Sequence, residues 1–246
     1  MITARDVAYG YDGDRVIDGL SLVVEPGETH AVMGANGSGK TTLLKLLAGL
    51  YEPDDGTIDR GGVVGFAPEN PKTGLFAETV AEEVAFFPRN RGLDVEARTE
   101  AALAAMAVSG IRDRGPYDLS AGEQRRVSIA AVLAGDPAVL TLDEPTAGLD
   151  ATGEHQLAEL VTDLDATVVF STHAADFAYR VADRVTLLRG GRLLATGGAR
   201  EILEDEARLR KAGVRIPGPV AWARDHGVDP PPRTVEEAVA IARGEQ

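Results

Sequence analysis

The chain has no cysteine, which excludes disulfides, thiolate metal sites and a cysteine nucleophile at once. Lysine is scarce: Lys40, Lys45, Lys72 and Lys211 are the only four in 246 residues. Positive charge is short overall, with 25 Lys and Arg against 39 Asp and Glu and a formal net charge of −14. Such a surface repels the phosphates of nucleic acid and anionic lipid over most of its area, so no nucleic-acid partner is expected. The same bias suits a high-salt cytoplasm, although GC-rich coding would equally exchange Lys for Arg. No uninterrupted apolar run approaches the roughly 18 residues needed to span a bilayer. The 44% of hydrophobic residues is therefore expected to fill a core, with no direct membrane insertion. Met1-Ile2-Thr3-Ala4-Arg5-Asp6 lacks the basic start and apolar stretch of a signal peptide. A cytoplasmic location follows most easily.

What is present is organised around Gly34-Ala35-Asn36-Gly37-Ser38-Gly39-Lys40-Thr41, which fits G-x-x-x-x-G-K-[ST] at every fixed position. An apolar run of strand length, Thr29 to Met33, precedes it, and leucines at helical spacing follow from Thr42 to Leu50. Strand, loop and helix is the context a phosphate cradle needs. Glycines 34, 37 and 39 let successive amides turn inward, and the helix N-terminus adds partial positive charge. Asn36, Gly37, Ser38, Gly39 and Thr42 would then surround a polyphosphate such as ATP. Lys40 would reach its β and γ phosphates, and the Thr41 hydroxyl would hold Mg²⁺.

In chain order, Ile2 to Ala8 and Leu20 to Val24 read as antiparallel strands about the turn at Tyr11-Asp12-Gly13-Asp14. Tyr11 precedes the first P-loop glycine by 23 residues, enough for one hairpin to return its ring to the nucleotide side. It reads equally well as an adenine-stacking ring or as an ordinary half-buried strand tyrosine, with Tyr9 as a competitor. Thr57 to Asp59 and Val63 to Ala67 are further candidate strands. From Thr79 to Gly135 the texture becomes helical, with segments Thr79 to Phe87, Asp94 to Val108 and Ala121 to Ala134 broken at Gly92, Gly110 and Gly115-Pro116. Alternation then returns: Val139 to Leu142, Thr167 to Phe170 and Val185 to Leu188 as strands, Gly153 to Leu164 and Ala174 to Tyr179 as helices. That pattern predicts an α/β fold, a mostly parallel sheet with helices on both faces.

The run ending in Leu142-Asp143-Glu144 sets two carboxylates at the C-terminal end of a buried strand, where open parallel sheets place their ligands. Asp143 would complete the Mg²⁺ shell with Thr41, and Glu144 would take a proton from the water attacking the γ-phosphate.

Taken together, Gly34 to Thr41, Leu119-Ser120-Ala121-Gly122-Glu123, Leu142-Asp143-Glu144-Pro145, Gly148-Leu149-Asp150 and Ser171-Thr172-His173 resemble an ATP-binding cassette (ABC) ATPase over about residues 1 to 200. More narrowly, Phe66 to Pro71 and Thr79 to Phe86 resemble the ATPase subunits of energy-coupling-factor transporters, which import cobalt, nickel or vitamins. The resemblance implies a P-loop NTPase core with an antiparallel β subdomain and a helical signature subdomain. Residues 1–212 would form the ATPase domain, with the helical part inserted at about 72–135, and 213–246 would be a short C-terminal extension. It also implies head-to-tail closure of two cassettes on two ATPs, so that Ser120 and Gly122 complete the site of a second ABC ATPase chain. His173 would contact the γ-phosphate and the attacking water. The expected partners are that second chain and integral membrane transporter subunits, and the expected place is the cytoplasmic face of the membrane. The alternative is a soluble cassette ATPase acting as a remodelling factor.

Departures from the family pattern carry their own expectations. Glu69 stands where a Gln is usual, so a carboxylate would join the Mg²⁺ site and alter metal affinity or coupling. Ala121 replaces Gly and Glu123 replaces Gln in the signature. Ser120 and Glu123 then satisfy S-x-x-E, a helix capping box that explains Glu123 without catalysis. His30, His155 and His226 read as structural. Towards the C-terminus, Ala199 to Leu203 and Glu206 to Ala212 could be helical, and Pro217-Gly218-Pro219 marks a break. Thr234 would cap a last helix to Arg243 with Glu237 completing a box. Trp222, the single tryptophan, reads as a packing anchor or a partner contact.

Overall fold

The computed structural model describes residues 1–244. Strand β1 (Ile2–Tyr11) returns through Asp12 and Gly13 into β2 (Asp14–Val24). Both turn residues have positive φ, the turn geometry whose twist suits a two-residue hairpin. Strand β4 (Asp55–Asp59) pairs antiparallel on the other edge of β1, giving a three-stranded sheet.

The second sheet runs β5 (Val64–Ala67), β6 (Val139–Leu142), β7 (Val168–Thr172), β3 (Thr29–Met33), β8 (Arg184–Arg189) and β9 (Arg192–Gly198). All pairings are parallel except β8 with β9. Every residue of β6 and β7 is buried, the two-sided burial that makes such strands read as unbroken apolar runs. Along β3 the faces alternate. Ala31 and Met33 join the core under the helices, and Val32 joins the core shared with the antiparallel sheet.

Helix α1 (Lys40–Leu47) lies between the sheets and buries Leu43, Leu44, Leu46 and Leu47 with Ile2, Ile17, Leu20 and Val24. On the other face, α4 (Ala121–Ala134), α5 (Ala151–Thr162) and α6 (Ala175–Val181) pack around Leu140, Phe170 and Phe177. Helices α2 (Val80–Arg91) and α3 (Val95–Ala105) pack on α4 to form the expected helical region. Thr79 with Glu82 and Ser120 with Glu123 form complete capping boxes. On β3 itself, buried His30 bridges to β8, with Nδ1 2.5 Å from Glu28 Oε1 and Nε2 2.8 Å from Thr186 Oγ1. Burial alone would raise the Glu28 carboxyl, but His30, the Glu25 amide and Arg184 hold it below the usual range. His30 is thus a satisfied core residue, as its sequence suggested.

Helices α7 (Ala199–Leu203), α8 (Glu206–Ala212), α9 (Gly218–His226) and α10 (Val235–Arg243) end the described chain. Three elements correct the sequence reading. Strand β9 was not anticipated, although Gly190-Gly191 is a hairpin dipeptide. The Pro217-Gly218-Pro219 segment starts α9 instead of only breaking the chain, because proline in a first turn forfeits no helical bond. Thr234 does accept from the Glu237 amide, but the Glu237 carboxylate takes the Arg233 N–H instead of returning to Thr234. Trp222 is half-buried and stacks on His226 at 4.7 Å. No helix among the described residues is long and apolar enough to cross a membrane.

Candidate nucleotide site

The glycine-rich loop leaves β3 at Gly34, where a side chain has no room: an added Cβ would overlap the Leu188 carbonyl and lie 2.6 Å from Ser38 Oγ. The loop's far side is tied down by the Gly191 N–H donating to Ser38 O at 3.1 Å. Lys40 folds back across the loop, donating to Gly34 O at 3.1 Å, with its Nζ 3.5 Å from Glu144 Oε1. Among the described residues, the buried Ser38 hydroxyl has no partner. An orphaned hydroxyl, a lysine held by carbonyls and a helix N-terminus are the groups a polyphosphate would satisfy.

Asn36, Gly37, Gly39, Lys40, Thr41 and Thr42 line one cavity of about 410 Å³ together with Val16, Glu69, Glu144 and His173. A cavity of similar volume at the ends of α3 and α4 includes only Arg98, Asp136 and Asp165 as charged groups. Elements far apart in sequence thus deliver their side chains to one place, at the C-terminal ends of β3, β5, β6 and β7.

Asp143 Oδ1 accepts from Thr41 Oγ1 at 3.0 Å and from Ser171 Oγ at 2.6 Å. Ser171 Oγ in turn accepts the Glu144 amide at 2.9 Å. Glu144 itself has φ +43°, an uncommon conformation for a residue with a side chain, and this loop geometry aims its carboxylate into the cavity. Its Oε2 lies 2.9 Å from His173 Nδ1 and accepts the His173 amide at 3.3 Å. The His173 ring is otherwise open, its side chain 67% exposed.

Two residues missed in the sequence complete the arrangement. Ser171 fixes both carboxylate-bearing residues from the neighbouring strand. Buried Arg125 on α4 donates to Pro68 O at 2.7 Å and to Glu69 O, clamping the loop that carries Glu69. Burial pushes its guanidinium down from the usual value, and the Glu69, Asp143 and Glu144 carboxylates oppose that shift. A signal existed: Arg125 lies on a helix whose following residues, Val127 and Ile129 to Val132, are apolar and buried, with Gln124 and Ser128 the buried polar neighbours.

Tyr11 does not line the cavity. Its ring meets Tyr9 edge-on at 5.1 Å and Tyr51 at 5.9 Å, and its phenol lies beside Tyr51 and Thr42. Burial and the Tyr51 hydroxyl push that phenol up, and the Thr42 hydroxyl works against them. Ser120 and Gly122 line a different cavity, with Gly148, Leu149 and Asp150, that shares no residue with the P-loop cavity. Within the chain, the Ser120 hydroxyl is occupied by Glu123.

Residues 17–147 match the ABC transporter family. The chain belongs to that family. It is 43% identical to the cobalt import ATP-binding protein CbiO of Rhodobacter capsulatus over 239 residues, covering 88% of this chain and 85% of that protein. To the energy-coupling factor transporter ATP-binding protein EcfA of Methanocaldococcus jannaschii it is 36% identical, covering 88% and 86%. Among solved structures, cbiO1 of Clostridium perfringens, part of the ABC transporter complex cbiONQ, matches with a TM-score of 0.76 at 29% identity, covering 91% of this chain and 98% of that one. ATP binding and hydrolysis are the activity of this ABC ATPase, and its fold is the P-loop α/β architecture with an added antiparallel sheet. These relatives agree with the transporter reading and not with a remodelling factor.

Proposed function

We propose that this ABC ATPase is the motor subunit of an energy-coupling-factor importer, in which ATP closes a pair of cassettes and hydrolysis reopens them to move a metal ion or vitamin-like solute through membrane partners. The observation that carries the reading is the convergence of Lys40, Glu144 and His173 on one cavity, with Thr41 at its wall and Asp143 behind it accepting the Thr41 hydroxyl. Asn36 to Thr42 bind the phosphates, and Lys40 leaves the Gly34 carbonyl for them. Glu144, oriented by Ser171 and His173, takes the proton of the attacking water, and His173 presents its open side to the γ-phosphate. Tyr11, packed outside this cavity beside Thr42 of its wall, stacks on the adenine ring from there. Ser120 and Gly122 face the ATP of the opposing cassette, in keeping with their distance from the chain's own cradle.

The donor set suits Mg²⁺. No group of three or more acidic or histidine ligands occurs among the described residues, and Mg²⁺ bound with nucleotide needs none, since phosphate and water oxygens fill most of its shell. The Thr41 hydroxyl and Asp143 carboxylate would hold it, with Glu69 in reach on the same cavity wall. When bound, the ion neutralises charge on the β and γ phosphates.

The domain reading follows: residues 1–212 form the cassette, with about 72–135 as its helical insert, and 213–246 form an extension. Short helices of the membrane subunit dock near Glu69 and the insert, where Phe76, Phe86 and Phe87 are exposed and in edge-to-face contact at 4.7 and 5.5 Å. That docking places the protein peripherally on the cytoplasmic face. The test is affinity purification of the tagged protein from its native membranes in mild detergent at high salt, followed by mass spectrometry. A stoichiometric integral membrane partner is the expected result; soluble partners alone, across several salts and detergents, would favour the remodelling factor.

A further inference from the structure

Where the cassette passes into the C-terminal extension, one short segment touches both the phosphate loop and the helix that follows His173. At its start, the Ala212 carbonyl, the last of α8, accepts the Ala35 N–H of the phosphate loop at 3.0 Å. Gly213 follows with φ +70°, and a Cβ added there would sit 3.0 Å from the Ala35 Cβ. At the segment's end the Gly218 N–H donates to Asp176 Oδ1 at 2.6 Å. Asp176 lies in the first turn of α6, three residues after His173. Buried Val214 anchors the segment between these contacts, and buried Val220 anchors α9 just beyond them.

The first contact has a directional consequence. In a trans peptide the N–H and the preceding C=O point opposite ways. With the Ala35 N–H directed at Ala212, the Gly34 carbonyl is directed away from it, and that carbonyl holds Lys40 Nζ at 3.1 Å. We infer that residues 212–218 form a positioning strap: through Ala35 it orients the peptide that presents Lys40, and through Asp176 it seats the helix that follows His173. The extension thereby governs nucleotide binding at one end and turnover at the other. This rests on the reading of the cavity as the ATP site.

Gly227 supplies the control. It ends α9 with φ +66°, and no described residue comes within 4 Å of its added Cβ, so Gly227→Ala carries the same backbone strain as Gly213→Ala without pressing on Ala35. A fluorescent ATP analogue is titrated against the full-length parent and both variants. Gly213→Ala is expected to bind about threefold to tenfold more weakly, a shift of a few tenths of an ångström at the loop, with Gly227→Ala like the parent. In parallel, Asp176→Ala is expected to lower kcat with little change in KM, and Asp176→Asn, which keeps an acceptor oxygen, to restore it. Equal binding by the two glycine variants, or equal kcat in the two Asp176 variants, overturns the strap. If Gly213→Ala does not fold, the Asp176 pair decides. Failure of the parent to bind the analogue would instead reject the ATP site itself.

Discussion

Replacing Glu144 by Gln removes one negative charge and almost no volume, so its effects separate chemistry from binding. The Glu144 carboxylate lies 3.5 Å from Lys40 Nζ, an attraction of about 5 kcal/mol at an effective dielectric of 20, most of it offset by the cost of burying both charges. In Glu144→Gln, Lys40 keeps the Gly34 and Ala35 carbonyls, which limits the loss of stability without nucleotide to about 1–3 kcal/mol. ATP then supplies the missing anionic partner. Removing a carboxylate from beside the triphosphate also lifts a repulsion, so ATP affinity should hold or tighten. Proton abstraction does not survive: loss of a general base is worth about 10²–10⁴ in rate, or roughly 3–5 kcal/mol of barrier. The assay is phosphate release in the assembled complex, with ATP affinity and thermal unfolding measured on the same samples. Turnover within about threefold of the parent would refute the assignment of Glu144 as base. A matching loss of ATP affinity would show that the variant damages binding rather than chemistry.

Glu69→Gln removes a carboxylate from the cavity wall while the backbone carbonyl held by Arg125 stays, so the Mg²⁺ dependence or rate of ATP hydrolysis should change with no loss of fold; identical Mg²⁺ titrations and turnover would sink a metal-site role. Gly122→Asp has room, since an added Cβ meets nothing nearer than Leu149 Cδ2 at 3.7 Å, and an acidic residue suits a helix's first turn. Its melting temperature should match or exceed the parent's, yet ATPase activity should be lost as the carboxylate meets the opposing γ-phosphate; retained activity would remove Gly122 from that interface. Burial and Glu204 push the Tyr179 phenol from 10.0 up to about 12. Because the folded value is the higher, this stabilisation is complete below pH 10 and is lost as pH rises through 12, about 3 kcal/mol in all. Urea unfolding of Tyr179→Phe should therefore show a shallower stability loss between pH 10 and 12 than the parent, and identical slopes would contradict the assignment.

Features written in local chemistry were legible in the sequence. Helix α4 spans Ala121–Ala134 as read, because a capping box opens it and Gly135 closes it. The phosphate loop, the Asp143-Glu144 pair and the antiparallel opening hairpin were equally plain. What escaped depends on distant partners or on faces the pattern does not encode. Ser171 acts on Asp143 across 28 residues, and Arg125 on Pro68 across 57. Tyr11 was read as a ring that a hairpin could return to the cradle, but its edge-on packing against the stacked Tyr9 and Tyr51 arises from strands and a loop that meet only in the fold. Strand β9 hid because an edge strand alternates exposure over only seven residues and ends in two glycines.

Helix α4 gives these separate pieces a mechanical relation. Its first turn carries Ser120 and Gly122, in the cavity assigned to the opposing nucleotide, and Arg125 lies one turn further along. Arg125 grips the backbone at Pro68 and Glu69, so the loop beside this chain's own phosphate cavity is tied to the helix proposed to meet the other chain's ATP. The same loop adjoins the exposed phenylalanines of the helical region. A helix cannot shift its first turn without carrying the residue five positions on, and a buried guanidinium that lost both carbonyls would be costly. Closure on one ATP would therefore displace the Glu69 loop at the other, and the membrane-facing surface with it. On this argument, Arg125→Lys keeps the charge but not the two-carbonyl fork, and should leave ATP binding near the parent's while slowing turnover in the complex. Unchanged turnover at full ATP occupancy would show that the link between the two sites runs elsewhere.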